Sequence, residues 1–245
     1  MYSRWVYDGA IEDPFFEFFV KVNADISDDS DHAWREKHVL DPKLVPNCVP
    51  LDTARTILLV GKSVYFIRQR CGDSAEIVPQ EVREGGIEMF KYGQPGGLQS
   101  ALDQAYSITG ARLLDIMHNK FRLSVHMVAL KKYLLLAQGD FVQALMENVD
   151  RELSCPAEKL YLHNLASTIQ TAAQATTVKY EDAEVLERLD VRLEQVGREA
   201  STGYDLFLLD YHVHGPVNVV FTGTAMHQYH RLVGVYVEST GYAYL

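Results

Sequence analysis

The sequence predicts a mainly α-helical protein with a few short β-ribbons. Apolar residues recur at intervals of three and four over residues 53–71 and again over 98–175, the spacing that gives a helix one apolar stripe. Between residues 188 and 214 the period shortens to two, as on half-buried strands. Of the 245 residues, 47% are hydrophobic and 23% charged, which supplies a sizeable core and argues against disorder.

The elements follow in order. Phe15, Phe16, Phe18, Phe19 and Val20 form a short aromatic run between Pro14 and Asn23 that predicts a buried strand or a strand edge. Residues 25–31 form an acidic turn, and an extended piece at His38–Leu40 is placed to pair back on the first. Asp52 reads as the N-cap of a helix over 53–71, with Ala54, Ile57, Gly61 and Val64 on its stripe. Residues 72–97 carry six glycines and two prolines with weak periodicity, which predicts a surface loop of low contact density. Leu98, Leu102, Ala105, Tyr106, Thr109, Leu113 and Met117 mark the next helix.

Leu123, Met127, Leu130 and Leu134 mark another, with Phe121, Val125, Val128 and Leu135 beside them. Apolar on most sides, it is expected to be buried centrally. Gly139 suits a helix C-terminus, and Asp140 with Gln143 reads as a variant capping box opening the helix of Phe141, Leu145, Val149 and Leu153. Pro156 ends that helix, and residues 158–175 form the next, with Tyr161, Leu165, Ile169 and Ala172 on one side. Leu189, Val191 and Leu193, then Phe207, Leu209, Tyr211 and Val213, predict a two-stranded hairpin closed by Gly215-Pro216. Residues 222–237 read as a last amphipathic helix.

A formal net charge of -10 argues against non-specific attraction to nucleic acid or anionic membrane. The N-terminus shows no signal-peptide h-region, and no apolar run approaches the ~20 residues that span a bilayer. Cys48, Cys71 and Cys155 are far apart and form no CxxC pair, which predicts free thiols of a reducing compartment.

Two motifs invite chemistry. Leu58-Leu59-Val60-Gly61-Lys62-Ser63 suggests a phosphate loop and, with it, a nucleotide-dependent enzyme. The glycine such a loop needs five positions before its Gly-Lys pair is Thr56, and the surrounding periodicity is helical. Gly61 is therefore expected to permit close helix packing and Lys62 to be solvated or ion-paired. Asp210, His212 and His214 share one face of the second predicted strand, a spacing that also suits metal ligation. With Leu209, Tyr211 and Val213 on the buried face, these three are expected outside, as candidate protein-interaction residues. No catalytic constellation, cofactor site or metal ligand set is assigned.

Five runs go further. Residues 4–20 (RWVYDGAIEDPFFEFFV), 51–71 (LDTARTILLVGKSVYFIRQRC), 131–146 (KKYLLLAQGDFVQALM), 188–196 (RLDVRLEQV) and 204–222 (YDLFLLDYHVHGPVNVVFT) resemble, in order, segments of the gamma-tubulin complex components. The resemblance implies tandem helical bundles. Residues 1–122 would form the end of the first, which makes lateral contacts, and residues 123–245 the start of the second, which binds gamma-tubulin. It implies a non-enzymatic scaffold for microtubule nucleation at microtubule-organising centres in the cytoplasm. Its partners would be gamma-tubulin and other components, those of the component 2 type among them. Family members are several times longer, and residues 232–245 depart from the family pattern, so the chain is expected to hold only part of the second bundle.

Overall fold

The structure, a computed structural model, describes residues 1–30, 32–89, 96–154, 160–193 and 203–241. It is mainly helical, with two small antiparallel ribbons. The chain divides into two compact units, residues 1–122 with 215–220, and residues 123–214 with 221–245.

The first unit is built on helix α3 (Leu51–Gln69). Helix α1 (Tyr2–Asp8) and helix α5 (Gly97–Asp115) pack against it. Trp5 is fully buried, and its indole Nε1 donates to the Ile57 carbonyl at 3.0 Å. A Cβ on Gly61 would lie 2.0 Å from the Trp5 ring, so this glycine permits the close approach. Helix α3 starts at Leu51 after Pro50, and the Asp52 carboxylate meets Arg55 at 3.0 Å. Asp52 is thus inside the first turn, not the N-cap, because proline already suits the entry to a helix.

Strands β1 (Val20–Val22) and β2 (His38–Leu40) pair antiparallel, Val20 opposite Leu40 and Val22 opposite His38, with helix α2 (Ala33–Glu36) between them. The aromatic run is split. Phe18, Phe19 and Val20 are buried, whereas Phe15 and Phe16 stand exposed. The Asp13 carboxylate accepts from the amides of Glu17 at 3.0 Å and Phe18 at 2.9 Å, which turns the chain before the strand begins.

The loop expected over residues 72–97 is corrected. Ile77 and Val78 are buried, Asp73 accepts two bonds from the Arg112 guanidinium, and helix α4 spans Gln80–Met89. Residues 90–95 lie outside the described residues. Gly86 weakens the helical pattern in the sequence, yet its Cβ would meet the Tyr7 hydroxyl at 2.0 Å. Helix α5 runs on into a π-helical turn, Ile116–Lys120, whose Lys120 Nζ donates to the Cys71 carbonyl at 2.6 Å.

The second unit opens with helix α6 (Leu123–Tyr133). It buries His126, Ala129, Leu130 and Tyr133, while Met127 and Val128 on its other side are exposed, as is Leu135 beyond its end. The helix is therefore one-sided and not central, because its inner face takes a histidine where periodicity favoured only apolar residues. Helix α7 (Gly139–Leu153) and helix α8 (Leu162–Ala175) pack together, and Phe141, Leu145, Val149, Leu153, Leu165 and Ala172 fill the core.

The turn before α7 also differs from expectation. The left-handed residue is Leu136 (φ 55), and Gly139 lies inside the helix it was expected to precede. Asp140 closes no capping box, since Gln143 bonds Glu147 at 2.9 Å. Its carboxylate instead accepts from the Thr177 hydroxyl at 2.6 Å and the Thr177 amide at 3.1 Å. Those two bonds, the hydroxyl first, hold the Asp140 carboxyl down to about 2. Pro156 and the predicted start of α8 lie outside the described residues, and Tyr161 is exposed.

A short helix α9 (Ala183–Leu186) leads into β3 (Leu189–Leu193). It pairs antiparallel with β4 (Phe207–Tyr211), Leu189 opposite Tyr211 and Val191 opposite Leu209. Helix α10 (Gly223–Gly241) packs on β4, as does α6. Gly197, expected between the strands, lies outside the described residues.

Candidate interaction site

Strand β4 positions the candidate residues. All five of its residues are buried, unlike β3, where Asp190 and Arg192 are more open. Successive side chains on a strand point to opposite faces. Tyr211 meets α6 through its hydroxyl, 2.8 Å from His126 Nδ1, and Asp210 meets α10 through His230 Nε2 at 2.7 Å. The two helices therefore cover the two faces of the strand.

This overturns the expectation for Asp210. It is 3% exposed, not part of an outer strip. Its carboxylate accepts from the Tyr211 amide at 2.8 Å and faces Arg192 Nη1 at 3.3 Å and His212 Nδ1 at 3.7 Å. Burial alone would raise the Asp210 carboxyl. The His230 hydrogen bond and charge, the Tyr211 amide and His212 override it, so the carboxyl sits below its ordinary range.

His212 and His214 lie just past the end of β4. The His212 amide donates to the Arg188 carbonyl at 2.8 Å, and its Nε2 stands 3.7 Å from Asp190. The two imidazoles stack with centroids 6.0 Å apart and planes at 8°. His214 is exposed and His212 half-buried. The three residues are thus brought together with unequal roles: Asp210 is the buried anchor, and the histidines form the accessible edge. His230 was missed in the sequence, where nothing links a residue on the last helix to one twenty positions earlier on a strand.

Among the described residues no hydroxyl or thiol is hydrogen-bonded to His230, and no group of three histidine, cysteine, aspartate or glutamate side chains is placed to hold a metal ion. Among them too, no helix is long and apolar enough to cross a membrane. Cys48 is exposed, and burial pushes the Cys71 thiol up to about 11; Cys155 lies outside the described residues.

The phosphate-loop reading fails on geometry. Gly61, Lys62 and Ser63 all lie inside α3, so there is no strand-to-helix loop to wrap a phosphate. Lys62 is not solvated but buried, its Nζ donating to the Trp34 carbonyl at 2.8 Å and approaching the Arg35 carbonyl at 3.4 Å. Burial lowers the Lys62 ammonium below its ordinary value.

The described residues thus define a mainly helical protein of two units, each with one small ribbon. The chain belongs to the gamma-tubulin complex component family. The N-terminal domain model of that family matches residues 1–120, and its C-terminal domain model matches residues 123–237. Gamma-tubulin complex component 3 of Homo sapiens is 39% identical over 236 residues, covering 94% of this chain and 26% of that protein. Spindle pole body component alp6 of Schizosaccharomyces pombe is 38% identical, covering 95% of this chain and 28% of that protein. Gamma-tubulin complex component 2 of Arabidopsis thaliana is 26% identical over 249 residues, covering 93% of this chain and 36% of that protein. The chain spans about a quarter of the length of the component 3 relatives it matches.

Proposed function

We propose that this chain is a structural part of a gamma-tubulin complex, scaffolding gamma-tubulin for microtubule nucleation through protein–protein contacts. The observation that carries the reading is the colinear match of both family domain models, residues 1–120 and then 123–237. Residues 1–122 form the C-terminal part of the lateral-contact domain, and residues 123–245 the N-terminal part of the gamma-tubulin-binding domain. The partners are gamma-tubulin and other components of the complex, including the component 2 type. The work is done without catalysis and without a cofactor, in the cytoplasm at microtubule-organising centres and spindle poles.

Asp210, His212 and His214 serve this role unequally. Asp210 fixes the end of β4, and the stacked histidines present the protein-contact edge. The test is immunoprecipitation of the tagged protein, followed by detection of gamma-tubulin and a component 2 relative in one sedimenting complex. Absence of both would overturn the reading. In the same assay His212→Ala with His214→Ala should weaken recovery of a partner by roughly three- to tenfold, the effect of removing a moderate interface residue.

A further inference from the structure

We propose that residues 13–21 form a rigid two-phenylalanine knob that seats in an apolar socket on a protein partner, with a lysine or arginine at the socket rim. Phe15 is 80% exposed and Phe16 75% exposed, adjacent in sequence and beside the solvent face of the β1–β2 ribbon. Lys21 and Val39 are directly opposite in that ribbon, so they share a face, and Val39 is exposed. Lys21 Nζ lies 5.6 Å from the Phe16 ring centroid. The Phe16 ring and the Lys21 stem therefore lie together, with the exposed Val39 on the same ribbon face as Lys21 and the exposed Phe15 next to Phe16 in sequence.

The knob is held in place and not merely left outside. The Asp13 carboxylate accepts from two amides of the turn, and Lys21 Nζ donates to the Phe16 carbonyl at 2.6 Å. Phe16 itself has φ 57, in the left-handed region that an aromatic residue seldom occupies. A backbone held in a disfavoured conformation to display two large apolar rings is better explained by an occupant than by folding, since neither ring enters the core. Aromatic anchors on a pre-ordered turn lose little conformational freedom on docking and are the residue type that dominates interface energetics.

Charge selects the occupant. Asp13 and Lys21 lie 3.8 Å apart, and Glu12 pairs with Arg4, which leaves Glu17 as the net charge of the turn. Glu17 and the chain's net charge of -10 disfavour an anionic membrane and favour a cation at the socket rim. The cavity beside Trp34 is an unsuitable seat on a second copy, because Asp28, Lys37, Lys62 and Arg70 line it and a phenyl ring would desolvate them.

The proposal stands apart from the identity of the complex, because its test starts from the knob. Full-length protein carrying p-benzoylphenylalanine in place of Phe15 is irradiated in cells, with the same label at Tyr180, 82% exposed in the other unit, as control. The expected result is one discrete cross-link to a protein site rich in apolar residues with a basic neighbour. Phe15→Ser with Phe16→Ser should then weaken binding of that purified partner at least tenfold, by about the amount that truncating interface anchors gives, with an unchanged thermal midpoint. A cross-link to lipid or to a second copy of the chain would overturn the proposal. So would no more protein adduct than the Tyr180 control, or unchanged affinity in the double variant.

Discussion

His38 sits between the rings of Trp5 and Tyr65, with centroids at 4.9 and 4.6 Å. Burial, then the charges of Lys62 and Lys37, lower its imidazole from 6.5 to about 4, and Asp28 offsets this only in part. The unfolded chain takes up a proton as pH falls below 6.5, and the folded chain does not. Stability is therefore full above 6.5 and drains between 6.5 and about 4. His38→Phe keeps an aromatic ring there and should flatten that loss, read as urea midpoints at pH 7.5 and pH 5. Equal midpoint shifts in variant and wild type would place the acid sensitivity elsewhere. Asp210 acts lower on the scale. Its depressed carboxyl supports the fold above its ordinary value and loses that support as pH falls through the folded one. Asp210→Asn should cost about 1–3 kcal/mol at pH 7 by urea titration, the range for a buried bond to a charged partner.

At the scale of elements, contacts that approach closest were the hardest to read. Gly61 suggested helix packing from its place on a stripe, and the structure supplies the Trp5 ring it accommodates. Gly61→Ala should therefore destabilise the first unit by about 1–3 kcal/mol through overpacking, measured by chemical denaturation. Trp5→Phe in the same background should recover part of it. Helix α4 was illegible because Gly85 and Gly86 score as breakers, although Gly86 is small to make room for the Tyr7 hydroxyl. The sidedness of α6 was illegible for the opposite reason. A count of apolar residues favours Met127 and Val128 inside, whereas the Tyr211 hydroxyl on β4 draws His126 inward. The β3–β4 ribbon was legible because alternation along a strand depends only on near neighbours, whereas the aromatic run placed the first strand too early, since β1 begins only at Val20.

For the whole molecule, each unit carries its own core. Leu130 is 4% exposed in the core of the second unit, so Leu130→Asp would bury a carboxylate without a partner, at about 4 kcal/mol or more. Hydrogen exchange should then rise across α7, α8 and the β3–β4 ribbon, while α3 in the first unit keeps its protection. A variant with wild-type exchange in α7 would place Leu130 outside the core. The order of the main helices and the Asp210–His212–His214 cluster could be read from spacing. The partners that give the cluster its shape could not: Arg192 lies across a ribbon and His230 on a later helix, and linear order does not encode such pairings.

The seat of Trp5 also sets a schedule for synthesis. Its indole waits for the carbonyl of Ile57, 52 residues downstream. A ribosome adding about 5–20 residues per second needs roughly 3–10 s to make that stretch. Helix α1 has 7 residues, short of the ~12–15 below which an isolated helix is marginal in water. During that interval the nascent chain presents Trp5, Val6 and Tyr7 without the seat that α3 later provides, a ready binding site for a ribosome-associated chaperone.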